Sequence, residues 1–316
     1  MIRFISAVFL FSQLFFSISF AQSAFRVVPL GVKGGIQEGN LSAYMIAPSG
    51  SEAYICLDAG TLNTGIRKAI ENGAFSVSED AVLKNYIKGY LISHAHLDHI
   101  SGLIINSADD TTKSIYAFPN TLETIRNHYF NWESWPNFGN EGNGFLLNKY
   151  TYKPLIEGKE LKIEQTEMSV KAYKLSHSNP YESAAFLIRT GDAYVLYFGD
   201  TGPDEVEKTD HIQAIWKDIS PLIKAGKLKG VFLEVSYPNE QPDNKLYGHL
   251  TPKWLMKEMN KLSELAGKEN MQKLNIIITH IKPAGNNEEK IRAQLRENNL
   301  LRLKLVIPEQ GVGFGL

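Results

Sequence analysis

Short apolar runs rich in β-branched and aromatic residues punctuate the chain, separated by Gly, Asn, Pro and Ser. "FRVVPLGV", "LSAYMIAP" and "AYICLDAG" are the first of these and predict strands. "TLNTGIRKAIENGAF" and "SEDAVLKNY" then change to helical spacing, with Ser78 placed to cap the second segment. "GYLIS" returns to strand. "NTLETIRNHYFNWES" predicts a helix, whereas the Gly-, Asn- and aromatic-rich "WPNFGNEGNGFLL" predicts a loop, and long aromatic loops are often functional. "AAFLIRTGDAYVLYFGD" predicts a hairpin turning at its Gly. After it come a helix around Ile212 to Ala225, a strand "GVFLEVS", a helix after Thr251, a strand "LNIIITH", a helix "NEEKIRAQLRENN" and a last strand "RLKLVIP".

Strands therefore cluster in each half with helices between them, an order that predicts an α/β architecture of mixed sheets covered by helices. Neither an internal repeat nor a linker divides the chain, so one domain is expected over residues 22–316. The N-terminus departs from this pattern. Arg3 precedes an apolar stretch from Phe4 to Phe20, and Ser19 and Ala21 provide the small-x-small pattern of a cleavage site. The expectation is a signal peptide over residues 1–21, cleaved after Ala21, leaving a periplasmic or secreted protein with no stable membrane anchor. Retention as an anchor is the competing reading, because about 17 apolar residues nearly suffice to span a bilayer.

Composition narrows the chemistry. The formal net charge of -1 supplies no basic field, so nucleic acid is not an expected partner. The single cysteine, Cys56, lies in an apolar run and reads as a buried core residue. It cannot form an internal disulfide, and it excludes a Cys-rich metal site. Any metal must be held by His and carboxylates.

The candidates stand at strand ends. "LISHAHLDHISGL" brings His94, His96, Asp98 and His99; "AYKLSH" brings His177, "VLYFGD" Asp200 and "NIIITH" His280. Five of the eight histidines thus sit where an apolar run leaves a sheet. Neutral imidazole and carboxylate donors suit zinc, and to a lesser degree manganese or iron. In extended chain His94 and His96 point the same way and can share one ion, which His177 would complete. Asp98 and His99 can face a second ion with His280, and Asp200 can bridge both. Two divalent ions about 3.5–4 Å apart can hold a hydroxide between them and clamp an oxyanion, which is machinery for ester or phosphodiester hydrolysis.

"HAHLDH" followed by His177, Asp200 and His280 resembles the metallo-β-lactamase superfamily, over essentially the whole mature chain. The resemblance implies an αββα sandwich of two mixed β-sheets flanked by helices, with a dinuclear site. A finer resemblance, to the class II cyclic-nucleotide phosphodiesterases, is carried by "HAHLDHISGLIINSAD", "GGIQEGNLSAY", "FNWESWPNFG", "FLEVSYPN" and "LYGHLTP". It implies hydrolysis of the 3′ phosphoester bond of a 3′,5′-cyclic nucleotide, cAMP before cGMP, to the 5′-nucleotide. A lactonase or β-lactamase type of hydrolase would share the ligands but has no reason to carry "LYGHLTP" or "WPNFG". A catalytically inactive metal-binding protein is the alternative outside enzymes.

Within that reading Asp98 also orients the nucleophile. His249 is a phosphate contact or a proton donor to the leaving oxygen, because Thr251 and Pro252 predict a helix N-terminus beside it. Trp135 and Asn137 of the aromatic loop are candidates to stack on the base and read its edge. Asp58 and Glu234, at strand ends, are candidates to support ligand histidines from behind. A homodimer is compatible with the sequence, which does not specify oligomeric state.

Overall fold

The apolar runs pair into two sheets of seven strands in a computed structural model that describes residues 23–316. The export signal read from residues 1–21, with its cleavage after Ala21, lies outside the described residues. The first sheet holds β1 (Phe25–Gly31), β2 (Ala43–Pro48), β3 (Tyr54–Leu57), β4 (Ile87–Leu91), β5 (Lys113–Ala117) and β6 (Tyr150–Pro154) in sequence order, with the C-terminal β14 (Phe314–Gly315) against β1. The second holds β7 (Glu160–Lys162), β8 (Ser169–Ser176), β9 (Glu182–Thr190), β10 (Ala193–Phe198), β11 (Leu228–Glu234), β12 (Asn275–Thr279) and β13 (Lys304–Val306), again in sequence order. Each sheet starts with antiparallel pairs and changes to parallel ones, at β3–β4 in the first and at β10–β11 in the second.

Three apolar clusters fill this frame. Tyr44, Tyr197, Phe186, Phe232 and their neighbours occupy the space between the sheets, with Tyr44 edge-on to Phe232 at 5.4 Å between ring centroids. Helices Asn63–Glu71 and Leu97–Asn106 cover the outer face of the first sheet, and His211–Lys224, Pro252–Ala266 and Asn287–Asn298 that of the second. Helices, sheet, sheet and helices make four layers, the αββα sandwich. The strands read as near-continuous apolar runs because both faces of each sheet are covered. Cys56 lies fully buried in β3, as its apolar surroundings predict.

Local signals held where their physics is local. The Ser78 hydroxyl accepts from the Ala81 amide, and Thr251 from Trp254 at 3.4 Å with Pro252 in the first helical turn. The helix expected in "NTLETIRNHYFNWES" is shorter: it runs Pro119–Thr124, continues as a wider turn to Tyr129, and stops. Strands β6 and β7 add to the sequence expectation: "ELK" is an exposed edge segment with no buried face, and "YTYKP" buries only Tyr150 and Tyr152, too short an alternation to stand out from the loop before it.

A polar knot lies under the far side of the first sheet. Asp110, 4 % exposed, accepts from the hydroxyls of Tyr90 at 2.7 Å and Tyr150 at 2.8 Å, and pairs with the buried ammonium of Lys113. Replacing Asp110 by alanine leaves that ammonium and both hydroxyls without their acceptor. The expected loss, read by urea unfolding, is about 3–5 kcal/mol; a loss below about 1 kcal/mol would show that water or Leu83 O, already 2.7 Å from the ammonium, suffices.

Candidate metal centre

Strands β3, β4, β8, β10, β11 and β12 all deliver their C-terminal ends to one rim of the sandwich, where ligands gather in open α/β sheets. From the first sheet, β3 ends in Asp58, and β4 leads to His94, His96, Asp98 and His99 as the chain enters helix Leu97–Asn106. From the second, β8 ends at His177, β10 at Asp200, β11 at Glu234 and β12 at His280. Asp58 (φ 53°), Ser178 (φ 59°), Tyr247 (φ 53°) and His280 (φ 57°) take left-handed backbone around the rim. Such conformations cost about 1–3 kcal/mol each and mark sites where side-chain direction is over-determined by the surroundings.

Every predicted ligand is brought into one cluster. His94 Nε2 lies 3.1 Å from His96 Nδ1, which lies 3.2 Å from His177 Nε2. His280 Nε2 lies 3.1 Å from both His99 Nε2 and Asp98 Oδ2. Between the groups stands Asp200, whose Oδ2 is 3.2 Å from His280 Nε2, 3.3 Å from His99 Nε2, and 3.8 Å from both His94 Nε2 and His177 Nε2. A tetrahedral ion with bonds of about 2.0–2.1 Å requires donors about 3.3–3.4 Å apart; the edges of 3.1–3.3 Å lie near that spacing, and the two of 3.8 Å from Asp200 to His94 and His177 are wider.

Hydrogen bonds behind the rings fix which nitrogen faces inward. Asp58 accepts from His99 Nδ1 at 2.8 Å, and Gly248 O accepts from His177 Nδ1 at 2.9 Å. The Ser93 hydroxyl donates to Asp58 and so must accept from His94 Nδ1 at 3.0 Å. The Ser236 hydroxyl donates to Glu234 at 2.6 Å and accepts from His280 Nδ1 at 2.9 Å. In all four rings Nδ1 carries the proton, and Nε2 turns toward the centre. In neutral rings, His99 and His280 would face each other lone pair to lone pair, a repulsion relieved only by a proton or a cation between them. This is the outer-shell arrangement that metal-bound imidazoles require.

Charge points the same way. Burial pushes His94 well below the usual imidazole range and His177 down to about 4, so both are neutral, metal-competent bases at neutral pH. Burial pulls His99 down as well, but the carboxylates of Asp200, Asp58 and Asp98 outweigh it and hold its pKa well above the ordinary value. The same negative charge that draws a proton to His99 draws a divalent cation.

Several quoted motifs now have mechanical reasons. Gly34 packs so tightly that a Cβ there would sit 2.2 Å from the His280 ring, and the Gly35 amide donates to Asp98 Oδ2 at 2.9 Å. Gly248 (φ 73°) lies against His177 with no room for a side chain. Asp58 is fully buried beneath His99 and Ser93 and accepts from His99 Nδ1, whereas Glu234 Oε1 accepts from His249 Nδ1 at 2.8 Å and reaches the ligand candidate His280 only through the Ser236 hydroxyl.

Trp135 and Asn137 differ from the sequence expectation. Trp135 packs on the outer helical layer and donates its indole N–H to Ser107 Oγ at 3.0 Å. Asn137 is fully buried, with its amide donating to Glu141 O and Asn143 O and its carbonyl accepting from Gly139 N. Both side chains hold the aromatic loop together, and neither lines the pocket over the cluster. The pocket, of about 470 Å³, is walled instead by Tyr181, Tyr247, Ser178, His249 and Lys282 around the ligand residues. Tyr181 stacks flat on the His96 ring at 4.6 Å. A larger cleft of about 710 Å³, with Ile36, Leu97 and Ile105 on its walls, adjoins it at Asp98. Sequence reasoning missed Ser93, Ser236, Tyr181 and Lys282; the only signal was position, since Ser93, Tyr181 and Lys282 lie within one to four residues of a ligand and Ser236 two residues after Glu234.

A metallo-β-lactamase fold whose rim carries a buried His/Asp cluster suited to divalent metal is the class this architecture defines. The solved structure of unliganded yeast PDE1 superposes with a TM-score of 0.82 at 23% identity, covering 93% of this chain and 100% of that one. A metallo-β-lactamase fold protein of Bacillus subtilis superposes at 0.59 with 15% identity, over 92% and 99%. Within that class, the family model of the class-II cAMP phosphodiesterases matches residues 24–311, and the chain belongs to this family. A 3′,5′-cyclic-nucleotide phosphodiesterase of Aliivibrio fischeri is 45% identical over 311 residues, 94% of each chain.

Proposed function

We propose that this chain is a 3′,5′-cyclic-nucleotide phosphodiesterase that cleaves the 3′ phosphoester bond of cAMP, and of cGMP, to yield the 5′-nucleotide. The observation that carries the reading is the convergence of inward-facing imidazole nitrogens from both sheets on Asp200, in a chain that belongs to the class-II family. We assign two divalent ions: one to His94, His96 and His177, one to Asp98, His99 and His280, with Asp200 reaching both. Zinc suits this nitrogen-rich set, and manganese or iron are the alternatives. Bound there, divalent ions supply an acidified water and offset charge on the phosphoryl oxygens.

The chain's own residues do the rest. Asp200 holds the two halves of the cluster in register. The Asp98 carboxylate, anchored by the Gly35 amide and partly exposed to the pocket, can orient the attacking water. His249 turns its Nε2 away from Glu234 and toward the pocket side, where Lys282 stands 2.9 Å away. Pockets of about 300–1,000 Å³ suit small ligands, and this one admits a cyclic phosphate with its sugar.

The test is purified protein with metals quantified, assayed on cAMP and cGMP before and after chelation. Turnover is expected to fall to background on chelation and to return with zinc or manganese, with 5′-AMP as the product from cAMP. Release of the 3′-nucleotide, or full turnover by protein stripped of metal, would overturn the reading.

A further inference from the structure

Lys282 follows β12 two residues after His280 and enters the pocket over the cluster. Its ammonium donates to His249 Nε2 at 2.9 Å and to the Tyr237 hydroxyl at 3.4 Å, and stands 5.2 Å from the centre of the Tyr237 ring. Among the described residues no carboxylate pairs with it, whereas Lys33, on the loop that wraps His280, is paired with Glu288. An ammonium carries three N–H donors. Two are engaged by His249 and Tyr237, which leaves one for whatever enters the pocket.

The anchor beneath it is rigid. His249 is 3 % exposed, and its Nδ1 proton is held by Glu234 Oε1 at 2.8 Å. Glu234 is itself fixed by the Thr201 amide at 3.1 Å and the Ser236 hydroxyl at 2.6 Å. With Nδ1 committed to Glu234, the outward Nε2 is an acceptor that receives the lysine. In this arrangement the donor facing the pocket is Lys282, and His249 is the post that aims it.

We propose that Lys282 is a substrate-contacting residue of the phosphodiesterase reaction: its free N–H binds a non-bridging oxygen of the cyclic phosphate. His249 is then a positioning residue that acts through Lys282. The inference rests on the phosphodiesterase reading above. Addition of a water oxygen to phosphorus increases the negative charge on the non-bridging oxygens, and a fixed cation that strengthens its hold at that moment lowers the barrier. The lysine keeps its proton throughout; the P–O3′ bond breaks as the new P–O bond forms, and O3′ takes up the proton that the water gives up.

The test uses the full, metal-replete protein with Lys282→Met, which keeps length and removes charge, Lys282→Arg, which keeps charge, His249→Ala, and the Lys282→Met/His249→Ala double variant. Metal per chain is measured for each. Lys282→Met is expected to lower kcat/KM on cAMP by about 100- to 1,000-fold, the range for loss of one preorganised donor. It is expected to weaken inhibition by 5′-AMP at least about tenfold while leaving inhibition by adenosine and the metal content unchanged, with Lys282→Arg recovering part of both losses. A purely structural role would not distinguish a phosphate-bearing inhibitor from its nucleoside. The double variant should be no worse than Lys282→Met, because the histidine acts through the lysine. Wild-type-like kcat/KM and 5′-AMP inhibition in Lys282→Met overturn the proposal, and full additivity in the double variant overturns the positioning role of His249. A wild-type protein that holds its metal but leaves cAMP intact overturns instead the reading beneath it.

Discussion

Asp200→Ala is expected to lower kcat/KM on a 3′,5′-cyclic nucleotide by about three orders of magnitude or more, with loss of bound metal. The reason is position. Its Oδ2 lies 3.2–3.8 Å from the inward nitrogens of His94, His99, His177 and His280, and among the described residues no other carboxylate reaches both halves of the cluster. Burial alone would raise the pKa of this carboxyl, yet His280, His99 and His249 around it hold it well below the usual range. Removing that charge leaves imidazoles crowded together with less to attract a cation. Asp200→Asn keeps the shape without the charge, and so separates electrostatics from packing. Turnover within tenfold of wild type at full metal content would defeat the assignment.

Asp58→Ala has the second largest expected effect, and it falls on stability and metal affinity together. Asp58 is fully buried and accepts four hydrogen bonds: from the Ser93 amide and hydroxyl at 2.7 and 2.8 Å, from His99 Nδ1 at 2.8 Å, and from the Tyr197 hydroxyl at 2.7 Å. The last comes from the opposite sheet. Truncation strips all four donors of their acceptor in a dry interior, where breaking such a pair costs about 3–5 kcal/mol. It also frees the His99 and His94 rings to turn, and losing an outer-shell partner lowers metal affinity about 10–100-fold. Alanine suffers further from the left-handed backbone at this position, which Asn adopts as readily as Asp. Asp58→Asn is therefore the milder control. Denaturant unfolding and metal titration read the two effects separately; a variant unchanged in both would show that Tyr197 and Ser93 find water instead.

Much of the cluster was legible in the chain because its donors share one simple placement. His94, His96, Asp98 and His99 are contiguous, and His177, Asp200 and His280 each close an apolar run. Ligand-capable residues at strand ends need no knowledge of which strand lies beside which. The order of strands in each sheet did need it: β3 meets β4 only after an intervening helix, and nothing in either run names its partner. The outer residues were less visible. Ser93 and Ser236 settle ring orientation through single hydroxyls that carry no periodic signature. Lys282 looks like any lysine leaving a strand until the fold sets it against His249 and Tyr237. Asn137 misled in the opposite direction: an amide in a Gly-rich loop reads as a recognition group, but the loop closes on itself and buries it.

The division of the cluster between the sheets has a mechanical consequence. His94, His96, Asp98 and His99 hang from the first sheet, and His177, Asp200 and His280 from the second. A cation held by His99 and His280 would tie residues from opposite sheets and far apart in sequence, closing a large chain loop in the way a covalent bridge would. A protein whose lone cysteine forbids any internal disulfide would thus have a reversible cross-link at its catalytic rim, and its resistance to unfolding would rise and fall with metal supply.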